Sequence, residues 1–136
     1  MFKQVQFISR SDAEKRAGHY QHALVSMWDS FMGAPDLQDG WQSVLSLPID
    51  YHKHPLNKDQ IDQLVHFCDR MALVCNTVVV HCFKGESRSA AVAKWIALRY
   101  QVVSFDHSYK EYDSMLFKVL CSHYPVQQNS EPTSKI

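Results

Sequence analysis

The apolar positions of the chain fall into short strand-like runs that alternate with longer helical ones. Val5-Gln6-Phe7-Ile8 alternates weakly and predicts a first strand. Ser11-Asp12-Ala13-Glu14 has the form of a capping box, so a short helix is expected there, stopping at Gly18. Ala23 to Trp28 predicts a second strand, and Asp29 to Gly40, with Gly33 and Pro35 inside it, a loop. Val44 to Leu47 predicts a third strand ended by Pro48. Asn57 then caps a long helix whose apolar face carries Ile61, Leu64, Val65, Cys68, Ala72 and Cys75. Thr77 to Val80, apolar and β-branched, predicts a fourth strand. The next helix, from about Arg88 to Tyr100, is apolar nearly all round and should be central. A last helix is expected from about Phe105 to Cys121, with Tyr109, Tyr112, Leu116 and Val119 on one face. Strands alternating with helices imply an α/β fold, a three-layer sandwich with a largely parallel central sheet of about four to five strands and flanking helices. Ligands of such folds sit at the C-terminal ends of the strands.

Length and composition narrow the class. The chain has 136 residues, for which one domain is expected over residues 1–125. Residues 126–136 are polar and contain one proline, so a disordered tail is expected there. Formal net charge is zero, which gives no global field for nucleic acid or acidic membranes. No apolar run reaches the ~18 residues of a membrane span, and no basic-then-apolar leader pattern opens the chain. Cys68, Cys75, Cys82 and Cys121 do not form the paired framework of a secreted protein, so a reducing, cytoplasmic setting is expected.

The chemistry concentrates in Val78-Val79-Val80-His81-Cys82-Phe83-Lys84-Gly85-Glu86-Ser87-Arg88-Ser89. An apolar β-branched run ends in a cysteine, and an alanine-rich helical run begins at the arginine. Strand, tight loop and helix N-terminus in that order make an anion cradle, because loop amides and the helix dipole converge on one spot. A cysteine at its mouth is favoured as thiolate by every nearby partial charge. The planar fork of Arg88 can grip two oxygens of a tetrahedral oxyanion. Thiolate plus oxyanion clamp points to nucleophilic attack on a phosphate ester.

His81-Cys82-x5-Arg88-Ser89, with Gly85 in mid-loop, resembles the phosphate-binding loop of the cysteine-dependent protein phosphatases, most of all the small dual-specificity group. The resemblance implies a dual-specificity phosphatase-like fold and a catalytic domain over residues 1–125. It implies Cys82 as nucleophile and Arg88 as the clamp. The loop residues Phe83, Lys84, Gly85, Glu86, Ser87 and Arg88 would bind phosphate, chiefly through their amides, with the Lys84 and Glu86 side chains pointing outward. Gly85 would permit a positive φ or a close backbone approach to phosphate. Ser89 would hydrogen-bond the sulfur, the bland alternative being helix capping. His81 would hydrogen-bond loop backbone and tune the thiol without acting as base, the alternative being a satisfied core histidine.

The resemblance also implies an aspartate acid on a separate loop about thirty residues upstream. Asp50, 32 residues before Cys82, is the candidate general acid, with Asp29 as rival; Asp59 is expected in a helix first turn, stabilising the dipole. His52-Lys53-His54 either adds positive charge beside the pocket or forms a solvated polar loop. His52 and His54 have no further partner at ligand spacing, so no metal and no cofactor is assigned. Cys68, Cys75 and Cys121 read as structural, the first two on the apolar face of the long helix. Cys75 and Cys82 are roughly 20 Å apart along an extended strand, too far for a disulfide.

The expected partner is a phosphorylated protein or another phosphomonoester, with neither nucleic acid nor membrane, and the protein is expected to be a monomer. The alternatives are a catalytically weak module that docks phosphorylated partners, or a phosphatase of RNA 5′-triphosphate or phosphoinositide. Sulfur transfer of the rhodanese type and arsenate reduction are disfavoured by the loop's spacing and its place in the chain.

Overall fold

The computed structural model describes residues 1–50 and 56–127. Four strands, β1 (Gln4–Ser9), β2 (His22–Asp29), β3 (Ser43–Ile49) and β4 (Thr77–Cys82), form one sheet in the order β1-β4-β2-β3. Every neighbouring pair is parallel. The helices are α1 (Arg10–Lys15), α2 (Lys58–Met71), α3 (Arg88–Arg99) and α4 (Ser114–His123). The protein is therefore α/β, with an all-parallel four-stranded sheet and flanking helices. The continuous Val78-Val79-Val80 run explains why β4 is central, since a strand covered on both faces needs no polar alternation; all six of its residues are buried.

Alternation along the strands sorts side chains to two faces. Ala23, Val25 and Met27 of β2, with Val78, Val80 and Cys82 of β4, join the core built with Leu64, Trp95 and Leu120 of the larger helices. Leu24 and Ser26 of β2, with Val79 and His81 of β4, point the other way, toward the side of α1. α3 is buried along most of its length, as its composition requires. Among the described residues no helix is long and apolar enough to cross a membrane.

Four details differ from expectation. The cap of α1 is Ser9, whose hydroxyl accepts from Asp12 N–H at 3.0 Å, and the helix ends at Lys15, before Gly18. β3 runs through Pro48 to Ile49. It is an edge strand, and the Pro48 carbonyl accepts from the Gln60 side chain at 2.6 Å, so the residue's polar side faces away from β2 and its missing N–H leaves no gap in the ladder. α2 has the expected Asn57 cap, with Gln60 closing a full capping box, but stops at Met71, so buried Cys75 lies beyond it. α4 begins only at Ser114, capped by Asp113. Upstream, the Asp106 carboxylate accepts from Ser108 N–H at 3.0 Å, a local bond that holds the chain in a turn where a helix was expected. Tyr109 and Tyr112 therefore precede the helix. The tail from residue 128 and the His52-Lys53-His54 segment lie outside the described residues.

Candidate active site

Cys82 is the last residue of β4, at the C-terminal edge of the sheet, and is 5% exposed. Its sulfur lies 3.1 Å from the Ser89 hydroxyl, and the Gly85 N–H donates to it at 3.3 Å. Ser89 is the second residue of α3 and is fully buried. The N-cap position belongs to Ser87, so the Ser89 hydroxyl faces the sulfur instead of capping the helix. The side chains of Ser9, Asn57 and Asp113 each cap a helix by accepting a backbone N–H. Ser87 makes no such bond, and the first turn of α3 holds no acidic residue. This helix end, a short loop past Cys82 in the chain, carries the positive end of the α3 dipole, which favours an anion there.

The loop between Cys82 and α3 is braced from outside. Gly85 has φ +73°, and a Cβ there would lie 2.3 Å from Ser9 N and 2.4 Å from Ile8 C. The positive φ matches expectation, but the close approach is to the end of β1. Arg10 N–H donates to the Phe83 carbonyl at 3.1 Å, joining the loop to α1. Lys84 and Glu86 are exposed, and Phe83 is half-exposed. Arg88, the first residue of α3, lines a cleft together with Asp29, Trp28, Met32, Phe83 and Arg10. Arg10 was not singled out from the sequence. Its guanidinium donates to the Gly33 and Ala34 carbonyls at 2.8 and 3.0 Å and lies 3.4 Å from the Glu14 carboxylate, so it pins the cleft wall after Asp29. Its position directly after a strand's C-terminal end is the one signal the sequence carried.

His81 sits on the opposite side of the sheet from the Cys82 sulfur. Its Nε2 is 2.7 Å from the Ser26 hydroxyl on β2, and its Nδ1 is 3.3 Å from the Cys82 carbonyl. A carbonyl can only accept, so Nδ1 carries the proton and Nε2 accepts from Ser26. The ring is thus joined to the Cys82 backbone and has no path to act as a base toward the Cys82 sulfur. Burial pushes its pKa below the ordinary imidazole value. The unfolded chain then binds the proton more readily than the folded one. His81's contribution to stability is full above the ordinary value of 6.5 and is lost as pH falls through the lower folded value. Above pH 6.5 the ¹⁵N spectrum of the folded protein is expected to show a neutral His81 ring protonated on Nδ1; a ring protonated on Nε2 would overturn this account.

Cys68, Cys75 and Cys121 are separate from the site, and none of the four cysteines is disulfide-bonded. Burial pushes all three thiols up, which makes them weak nucleophiles near neutrality. Asp59 lies in the first turn of α2, as expected.

The two candidate acids share one rim. Asp29 ends β2 and pairs with Ile49, the residue before Asp50. The Asp29 carboxylate accepts from Phe31 N–H at 2.9 Å, which fixes it in the turn that follows β2. Asp50 is exposed at the end of the edge strand.

No protein-family model matches the chain, and no curated protein sequence matches it.

Proposed function

We propose that the protein is a phosphomonoester hydrolase of the dual-specificity phosphatase type, working through a cysteinyl-phosphate intermediate. The observation that carries this reading is the convergence of the Gly85 N–H and the Ser89 hydroxyl on the Cys82 sulfur, beneath the uncapped N-terminus of α3. In the first step the Cys82 sulfur attacks phosphorus, the P–O bond to the leaving group breaks, and Asp50 gives that oxygen a proton. Loop amides and the Arg88 guanidinium hold the three equatorial oxygens. In the second step Asp50 takes a proton from water, the water oxygen attacks phosphorus, and the P–S bond breaks. Ser89 donates to the departing thiolate. Phosphorylated protein is the proposed substrate.

Asp50 is assigned as the acid because it follows β3 at the rim where β4 ends in Cys82, and its place 32 residues before Cys82 matches the spacing that the resemblance implies, whereas Asp29 lies further upstream. Turnover of an aryl phosphate without added metal tests the class. The acid assignment is tested by comparing Asp50→Asn with Asp29→Asn on esters of graded leaving-group ability. Asp50→Asn is expected to lose roughly 10²–10⁴-fold on an alkyl or tyrosyl phosphate. The loss should shrink for a good leaving group, which needs no proton, and the basic limb of the pH profile should flatten. If Asp29→Asn shows that pattern and Asp50→Asn does not, the assignment is reversed.

A further inference from the structure

Among the described residues, three loop carbonyls are held by donors from elsewhere in the chain. Arg10 N–H holds Phe83, the Tyr109 hydroxyl holds Glu86 at 2.8 Å, and Asp113 N–H holds Ser87 at 3.0 Å. In a trans peptide the carbonyl and the following N–H point in opposite directions. A donor that keeps a carbonyl turned outward therefore aims the next amide inward. Holding Glu86 C=O out turns Ser87 N–H toward the cradle, and holding Ser87 C=O does the same for Arg88 N–H. Two of these three donors are main-chain groups; Tyr109 is the side chain among them.

Tyr109 is fixed in that position. Its ring packs on Phe7 of β1 with centroids 5.1 Å apart, and Phe7 packs in turn on Phe105 at 6.1 Å. Burial, followed by the charges of Glu111, Glu86 and Cys82, pushes the phenol above its ordinary value, so the hydroxyl stays a donor through the neutral range. A hydroxyl on a rigid ring, presented by the sheet to one peptide of the loop, sets that peptide's orientation.

We propose that Tyr109 is a positioning residue of the loop: it fixes the Glu86–Ser87 peptide so that the Ser87 N–H faces the bound phosphoryl oxygens. It touches no reacting atom and acts through the loop backbone. The role in turnover rests on the proposed hydrolase function, whereas the peptide's orientation belongs to the protein without ligand.

The test is Tyr109→Phe, which keeps the ring on Phe7 and removes only the hydroxyl. In the free protein the ¹⁵N–¹H resonance of Ser87 is expected to shift and its hydrogen exchange to speed up. Vanadate affinity should fall roughly 3- to 10-fold, the worth of one hydrogen bond. The loss in kcat/KM should fall mainly on KM. Tyr112→Phe is the control, since that ring packs on Phe117 and lies under the Lys94 ammonium. It should leave the loop amides and vanadate binding as they are. Unchanged loop amides in folded Tyr109→Phe, or moved amides with unchanged vanadate affinity, would overturn the proposal. If the wild-type protein neither binds vanadate nor turns over aryl phosphate while Tyr109→Phe still moves the loop amides, the hydrolase reading fails and the bracing role stands.

Discussion

Cys82→Ser is expected to lower turnover by about 10⁴-fold or more while leaving phosphate binding in place. The two properties separate because different atoms carry them. In the proposed mechanism the nucleophile is the sulfur, whereas the cradle is made of loop amides and the α3 N-terminus, and that loop is held by β1, α1 and the segment before α4. A serine hydroxyl fits where the thiol stood and still meets Ser89 and the Gly85 N–H. It cannot supply a good anionic nucleophile at neutral pH without a base. His81 cannot serve as one, because it projects from the other face of the sheet. Steady-state turnover together with inorganic phosphate titration by calorimetry checks both halves. Retention of a tenth of wild-type turnover would remove Cys82 from the mechanism, and loss of phosphate binding would mean that the sulfur itself organises the cradle.

Gly85→Ala should damage both the fold and the site. The residue has φ +73°, and an added methyl would meet main-chain atoms of Ile8 and Ser9 between 2.3 and 2.7 Å away. A side chain at positive φ costs about 1–2 kcal/mol. The overlap is with the backbone of β1, which is paired to β4 and cannot swing aside. Overpacking of this kind costs about 1–3 kcal/mol more. The expected total is a loss of about 2–5 kcal/mol in unfolding free energy. Whatever relief occurs must come from the loop lifting off β1, which turns the Gly85 N–H away from the sulfur. Denaturant melts and turnover should therefore fall together, turnover by at least about tenfold. A variant as stable as wild type would show that the loop does not rest on Ile8 and Ser9.

The fold was legible where burial dictates residue type. The run Val78-Val79-Val80 has no polar member, which fits only a strand covered on both sides, and the Asn57–Gln60 pair marks the start of α2 without tertiary information. The misreadings share a cause. Pro48 breaks a strand only in a sheet interior, and the edge position of β3 is a property of strand order. The turn before α4 was read as helix because Tyr109, Tyr112, Leu116 and Val119 fit a helical stripe. In the structure the tyrosines serve other contacts: Tyr109 reaches the loop, and Tyr112 packs on Phe117. The core of the site, Cys82, Gly85, Arg88 and Ser89, is contiguous in the chain and so could be read from it. Its supports, Arg10, Tyr109 and Asp113, are brought to it by the fold alone. The opposite orientation of His81 and Cys82 was implicit in strand alternation, but its meaning depended on Ser26 lying across from His81.

The outside donors to the loop also bear on how the protein matures. Arg10 stands far from Tyr109 and Asp113 in the chain, on the other side of Cys82, and the last two follow α3. All four strands and α3 precede residues 109–113 in the chain, so a nascent chain contains the thiol before it contains Tyr109 and Asp113. At that stage, on the proposed function, it would hold the thiol without the donors that brace the loop. Gain of activity should therefore trail the gain of sheet signal during refolding. On the proposed function, competence is expected to be the last property acquired, and the unassembled chain to carry a thiol that is not yet armed.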